Sequence, residues 1–207
     1  MSAPATERPR PSLLLASASP TRRRLLEQAG LEFSAEAAPV DEEEAKLALE
    51  GEGADGPALA EALAELKAVA VARRHPGAFV IGADQVLDCE GRRYDKPRDL
   101  AAARTQLMAL RGRSHQLISA VVVVRDGQRL WHHIDRAKLT MRPFSPAFLD
   151  DYLARAMPGI LSSVGAYQLE GLGAQMFERI EGDYFVILGL PLLPVLDILR
   201  EQNALVR

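Results

Sequence analysis

Apolar residues recur along this chain in two alternating rhythms, short continuous runs and helical spacing, with Pro, Gly, Ser and Asp at the boundaries. Residues 12–16 form a short apolar run, the pattern of a buried strand. Ser19-Pro20 supplies an N-cap with proline at the first helical position, and Gly30 closes a helix of about three turns. Residues 32–37 (EFSAEA) alternate weakly and read as a second strand. An acidic run at 41–44 and a glycine-bounded stretch at 51–56 read as solvated chain and a flexible loop. From Pro57, Leu59, Leu63, Leu66, Val69 and Ala70 recur at helical spacing up to His75-Pro76. Residues 78–83 (AFVIGA) form a short apolar strand ending at Asp84, and Glu90-Gly91 is a turn between two strand pieces. Asp99 caps a helix running to about Leu110. The apolar stretches 117–124 and 130–139 flank Asp126-Gly127, a hairpin signal. Pro146 opens a helix to about Ala156, 159–190 is glycine-rich with short apolar pieces, and Pro191 begins a C-terminal helix. Helices alternate with strands while the hairpin breaks a purely parallel order, so the fold class is α/β with a mixed sheet flanked by helices.

Composition narrows the function classes. The 207 residues are 48% hydrophobic and 26% charged, ordinary for a soluble chain that builds a real core. The expected organisation is a Pro-rich polar tail at 1–11, without the apolar stretch of a signal peptide, and one domain over 12–207. The formal net charge of −3 gives no global attraction to nucleic acid or an anionic membrane, so a phosphate ligand must be met by a local cluster of cations. No apolar run approaches the roughly 20 residues of a membrane span. Cys89 is the single cysteine, which excludes an intramolecular disulfide and a cysteine-cluster metal site. The expected compartment is the cytoplasm.

Candidate chemistry begins in LLLASASPTRRRLL (13–26), where three arginines occupy a first helical turn. A helix N-terminus favours anions, so cations there break a local rule, and such breaches mark functional sites. With Ser19 as N-cap, Arg22 shares a face with Leu25, Leu26 and Ala29, whereas Arg23 and Arg24 turn away by roughly 100° each. A solvated basic turn paired with glutamates is the plainer alternative. Asp84, at a strand end beside glycine, is placed to face a crevice, and Glu42, at the end of the second strand, is its partner carboxylate. Two carboxylates near phosphate-binding arginines suit a Mg²⁺ ion shared with substrate oxygens; on spacing alone a residue such as Glu42 is more often part of a solvated acidic run. Lys96 precedes a proline that extends the backbone, and Lys67 lies beside an apolar helix face, where a lysine also simply snorkels. His75, His115, His132 and His133 lack zinc spacing, Ser17 and Ser19 lack a nucleophile-elbow pattern, and neither GxGxxG nor GxxxxGK[ST] occurs.

Taken together, LASASPTRRRLL (15–26), PVDE (39–42), LKA (66–68), GADQV (82–86), DKPRD (95–99), LRGRSH (110–115), EGLGAQMFERIEGDY (170–184) and GLPL (189–192) resemble the Maf family of nucleotide pyrophosphatases. The resemblance implies the elongated mixed sheet of the inosine-triphosphate pyrophosphatase class. It also implies an acid-anhydride hydrolase that splits a nucleoside triphosphate between its α and β phosphates. Carried over by residue, Asp84 matches the family's proton acceptor. Arg22 and Ser17 match the SxSPxR segment, with Arg23 assisting, and Glu42, Lys67 and Lys96 match polar positions of the pocket. Glu42 and Asp84 would hold the divalent metal, Mg²⁺ or Mn²⁺. The dTTP/UTP subgroup usually carries SPRR, GADT and IQG. Here Thr21, Gln85 and Glu170 stand at those positions; Gln85 and Glu170 resemble the 7-methyl-GTP subgroup, and Thr21 matches neither pattern. Val186 stands where asparagine is common. The expected partner is a small-molecule nucleotide, with no nucleic acid and no membrane, and the family suggests a homodimer. Two rivals differ in class: a nucleotide-binding regulator of septum formation without turnover, and an RNA-interaction module, which net acidity and 5% aromatic content disfavour.

Overall fold

The computed structural model describes residues 12–206, so the tail expected at 1–11 lies outside the described residues. The first apolar run is strand β1 (Leu13–Ala16), buried at every position. Helix α1 (Pro20–Gln28) starts as its punctuation requires, with the Ser19 side chain accepting from the Arg22 N–H and Pro20 in the first turn. Its inner face is Arg22, Leu25 and Leu26; Ala29, expected on that face, lies exposed past the helix end. Strand β2 is reduced to Ser34–Ala35.

The acidic run is not solvated chain. It opens helix α2 (Glu42–Gly51), with the Asp41 carboxylate accepting from the N–H groups of Glu43 and Glu44. Glu42, Glu43 and Glu44 fill the first turn, where the helix dipole favours negative charge. Glu42 is therefore the first residue of a helix, not the end of the second strand. Helix α3 (Gly56–Ala72) follows, capped by Asp55.

Asp84 also lies elsewhere than at a strand end. It does not end a short strand but sits inside β3 (Phe79–Cys89), which continues through a turn at Glu90 and Gly91, both with positive φ, into β4 (Arg92–Tyr94). Then come α4 (Leu100–Leu110) capped by Asp99, the hairpin of β5 (Ser114–Arg125) and β6 (Gln128–Met141), and α5 (Pro146–Ala156). The glycine-rich stretch holds three 3₁₀ turns, Gly159–Ser162, Val164–Ala166 and Leu172–Met176, then β7 (Phe177–Glu181) and the short helix α6 (Tyr184–Ile187). Helix α7 (Leu192–Glu201) closes the described chain, with Pro191 at its N-cap.

Among the described residues seven strands form one mixed sheet in the order β2-β1-β3-β5-β6-β7, with β4 on β3. β1 is parallel to β2 and β3, and the remaining pairs are antiparallel. Pairing with β1 ends at Ala16↔Gly82, and pairing with β4 begins at Leu87↔Tyr94. Residues 83–86 of β3 therefore have β5 on one edge and no strand on the other. That notch makes a crevice in the middle of a long strand, and Asp84 lies in it.

Three apolar clusters cover the sheet. One face carries α3 against Leu14, Val80, Val86, Ala120 and Val122. The opposite face is divided: α1 and α7 pack at the β1 end, while α4, α5 and the 3₁₀ segment pack on Leu87, Leu117 and Leu139. Between those two clusters runs a polar seam, where the Gln85 amide donates to Ser119 Oγ and to the carbonyls of Val186 and Ile187. Gly82 sets how closely α3 approaches. A Cβ there would lie 2.1 Å from the Ala64 carbonyl oxygen, so only glycine lets the helix backbone rest on β3.

Candidate active site

The cations reach the notch from separate elements. Arg22, at the buried face of α1, points its Nη1 at the Ala83 carbonyl (2.8 Å), which β1 leaves unpaired, and its Nε at the Gly189 carbonyl (2.8 Å). Ser17 Oγ accepts a further bond from Nη1 at 3.3 Å, so Ser17 acts on the site through Arg22 and is not itself in the cavity wall. Among the described residues Nη2 has no hydrogen-bond acceptor. Burial lowers the guanidinium from its ordinary value while Asp84 and Glu42 oppose that, and an arginine remains cationic throughout.

From α3, Lys67 reaches across the Gly82 contact. Its Nζ lies 2.7 Å from Asp84 Oδ1 and 2.8 Å from Glu42 Oε2, one ammonium joining two carboxylates. Partial burial alone would raise the Glu42 carboxyl, but the hydrogen bond and charge of Lys67, with Lys96 and Lys46, hold it below the usual carboxylate range. Lys96 is held below its ordinary value by burial and by the neighbouring Arg22 charge. Cations crowded enough to depress one another are stabilised when an anion enters between them.

These groups surround one cavity of about 490 Å³. Thr21, Arg22, Glu42, Lys67, Asp84, Gln85, Lys96 and Glu170 all line it. Arg23 does not. It projects to solvent on the outer side of α1, 62% exposed and paired with Glu27 one turn on, as the helical rotation dictates, so its assistance in phosphate binding finds no support in this geometry. Two further cations in the wall, Lys46 and Arg98, escape the sequence reading. Lys46 is one helical turn beyond Glu42 on α2 and is ion-paired with Asp95, whose hydrogen bond and charge raise it although burial opposes. The signal for it was the capping pattern of Asp41 followed three residues later by Glu44, which marks a helix start and sets Glu42 and Lys46 on one face.

The far wall is the 3₁₀ segment, with Tyr167, Gln168, Leu169 and Glu170. Glu170 meets Thr21 across the opening, the Thr21 hydroxyl donating at 3.5 Å. Gln85 faces the seam and spends its amide N–H groups there, leaving its oxygen for any ligand.

Asp84 is 8% exposed at its side chain, and its Oδ2 is buried without a hydrogen-bond partner among the described residues. An orphaned carboxylate oxygen beside a second carboxylate is a hard donor set that fits Mg²⁺ or Mn²⁺. Among the described residues no group of three or more His, Cys, Asp or Glu forms a complete metal cage, so such an ion would draw its other ligands from substrate and water.

The profile of the Maf-like protein family matches residues 12–202. The chain belongs to the Maf family. It is 58% identical to a protein of Paramagnetospirillum magneticum described as a nucleoside triphosphate pyrophosphatase, over 93% of this chain and 100% of that one. It is 53% identical to a Rhizobium meliloti protein described as a 7-methyl-GTP pyrophosphatase, over 95% of this chain and 98% of the relative. A Rhodospirillum rubrum relative described as a nucleoside triphosphate pyrophosphatase is 55% identical, over 94% of this chain and 96% of its own. In this Maf-family chain no helix among the described residues is long and apolar enough to cross a membrane.

Proposed function

We propose that this protein is a nucleoside triphosphate pyrophosphatase, a hydrolase that converts a nucleoside triphosphate and water to the monophosphate and pyrophosphate. The observation that carries the reading is Asp84, whose Oδ2 is buried without a hydrogen-bond partner among the described residues, in the wall of a cavity where Arg22, Lys46, Lys67, Lys96 and Arg98 converge. The names borne by relatives at 53–58% identity support the same reaction class.

The cations hold the triphosphate and offset the charge that develops on its oxygens as the bond breaks. Asp84 Oδ2 takes a proton from the attacking water, the hydroxide forms a new bond to one phosphorus of the α–β linkage, and the bridging oxygen leaves with the other half. The proton passes from Asp84 to solvent. Lys67 orients Asp84 through Oδ1, which leaves Oδ2 as the working oxygen. Glu42 and Asp84 are the residues that would hold a divalent cation, which when bound neutralises phosphate charge and orients water.

For the base, the reading is a guanine nucleotide of the 7-methyl-GTP type. Glu170 at the opening supplies a carboxylate for a cationic methylated base or its N–H groups, and the Rhizobium meliloti relative carries that name. Pyrophosphate release is measured over a panel of 7-methyl-GTP, dTTP, UTP and the common nucleotides, with and without Mg²⁺ or Mn²⁺. Turnover that falls at least about 10²-fold in Asp84→Asn, with the fold kept, is the expected result. Nucleotide binding without pyrophosphate release in the wild type would instead make the protein a regulator that reads nucleotides.

A further inference from the structure

The motif LRGRSH (110–115) ends in a histidine for which the reaction above has no task. His115 on β5 is 2% exposed, and its ring packs against Tyr167 and Phe177 at centroid distances of 5.6 and 5.9 Å. Its Nε2 lies 2.7 Å from the Tyr167 hydroxyl, while Nδ1 is buried with no partner among the described residues. Burial pushes the imidazole down to about 4, so the ring is neutral at pH 7. A neutral ring with one orphaned nitrogen is a costlier core residue than phenylalanine or leucine. Filling space does not account for it; the hydrogen bond does.

That bond holds a residue of the cavity wall. Tyr167 belongs to the 3₁₀ segment, where Gly165 and Ala166 both take left-handed backbone (φ 77° and 60°), a strained choice for alanine. A Cβ on Gly165 would lie 2.5 Å from Leu87 Cδ1 and 2.8 Å from the Tyr167 ring, so the segment is pressed onto β3 at this point. Tyr152 of α5 donates to the Ala166 carbonyl at 3.2 Å. Two consecutive residues, 166 and 167, are thus tied to the interior from two different elements. The next three, Gln168, Leu169 and Glu170, line the cavity.

We propose that His115 is a positioning residue: through the Tyr167 hydroxyl it fixes the segment carrying Gln168 and Glu170, and so sets nucleotide affinity and base discrimination but not the phosphoryl step. The inference rests on the nucleotide reading given above.

Tyr167→Phe removes one oxygen and keeps the ring; His115→Phe keeps an aromatic of similar size without the nitrogens. Each full-length variant, and the double variant, is compared with wild type by thermal unfolding and steady-state kinetics. Affinity is measured for a panel of nucleotide analogues with a hydrolysis-resistant methylene bridge between the α and β phosphates. The expected result is a rise in KM and Kd of about tenfold for the preferred nucleotide, the worth of one buried hydrogen bond, and a narrower gap between that nucleotide and the next. kcat stays within about twofold, and the double variant loses no more than the worse single one, because both remove the same bond. Where His115→Phe does not fold, Tyr167→Phe carries the test alone. Unchanged affinity and base preference with only a lower melting temperature would overturn the proposal, and so would a fall in kcat at unchanged Kd. Wild-type protein that binds the analogues without hydrolysing the natural nucleotides would overturn the pyrophosphatase reading alone, since the affinity comparison still reads the His115–Tyr167 bond. Wild-type protein that binds none of the panel would overturn both.

Discussion

Lys67 is 7% exposed at its side chain and is ion-paired with both Asp84 and Glu42, so replacing it tests what one buried ammonium contributes. Lys67→Met keeps most of the apolar stem but strips Asp84 Oδ1 of its hydrogen-bonded ammonium, leaving a buried carboxylate with only the charges of Arg22, Lys46 and Lys96 around it. The expected stability loss is about 3–5 kcal/mol at pH 7, measured by chemical denaturation. Asp84→Asn in the same background should recover part of it by removing the stranded charge; no recovery would mean the lysine acts through packing. At this scale Arg22 was legible because helical rotation singles it out among the three arginines, and the same rotation carries Arg23 to Glu27. The salt bridge that joins Lys67 to residues 25 and 17 positions away was not legible, since no local spacing encodes it.

At the scale of elements, the contact of α3 with β3 decides whether Lys67 reaches Asp84. Ala64 and Ala68 are fully buried against Gly82, and a methyl group there would meet the Ala64 carbonyl at 2.1 Å and the Ala68 Cβ at 2.8 Å. Gly82→Ala should therefore push the helix away, costing about 1–3 kcal/mol by overpacking and lowering kcat together with stability. A variant with wild-type turnover and melting temperature would show that α3 has slack. Strong punctuation made most elements legible: Ser19-Pro20, Asp99, Asp126-Gly127 and Pro146 each open or join the element expected of them. α2 was obscured because none of its residues is buried and only Ala45 and Leu49 pack, half-covered, against the α3 cluster, too short a stripe for hydrophobic periodicity to reveal, although its Asp41 cap was present. The true length of β3 was obscured for a related reason. Asp84 and Gln85 interrupt its apolar run because they face the notch, so the residues that build the site break the pattern that would reveal the strand.

Over the whole molecule, a chain of net charge −3 gathers five cations around one cavity by drawing them from α1, α2, α3 and the stretch after β4. Composition could exclude a global basic surface but could not see this convergence, which exists only after the sheet opens its notch. The buried polar groups that the site requires also shape the response of the entire fold to pH. His115 is held at about 4 in the folded protein against about 6.5 in the unfolded chain, so between those values the unfolded state carries a proton that the folded state refuses. Stability contributed by the neutral ring is fully present above about pH 6.5 and is lost as the pH falls, at up to about 1.4 kcal/mol per pH unit and about 3 kcal/mol in all. Glu42, held low by Lys67, loses its own contribution in the same direction as it protonates, so the wild-type curve mixes the two. His115→Phe separates them, because it removes the imidazole and leaves the Glu42–Lys67–Asp84 chain in place. Denaturation midpoints taken from pH 7 to pH 4 should converge, the variant losing about 3 kcal/mol less than wild type across that range. Parallel curves would show that the folded protein accepts a proton at His115 without penalty, and the ring could not then be the dry, neutral anchor of the cavity wall.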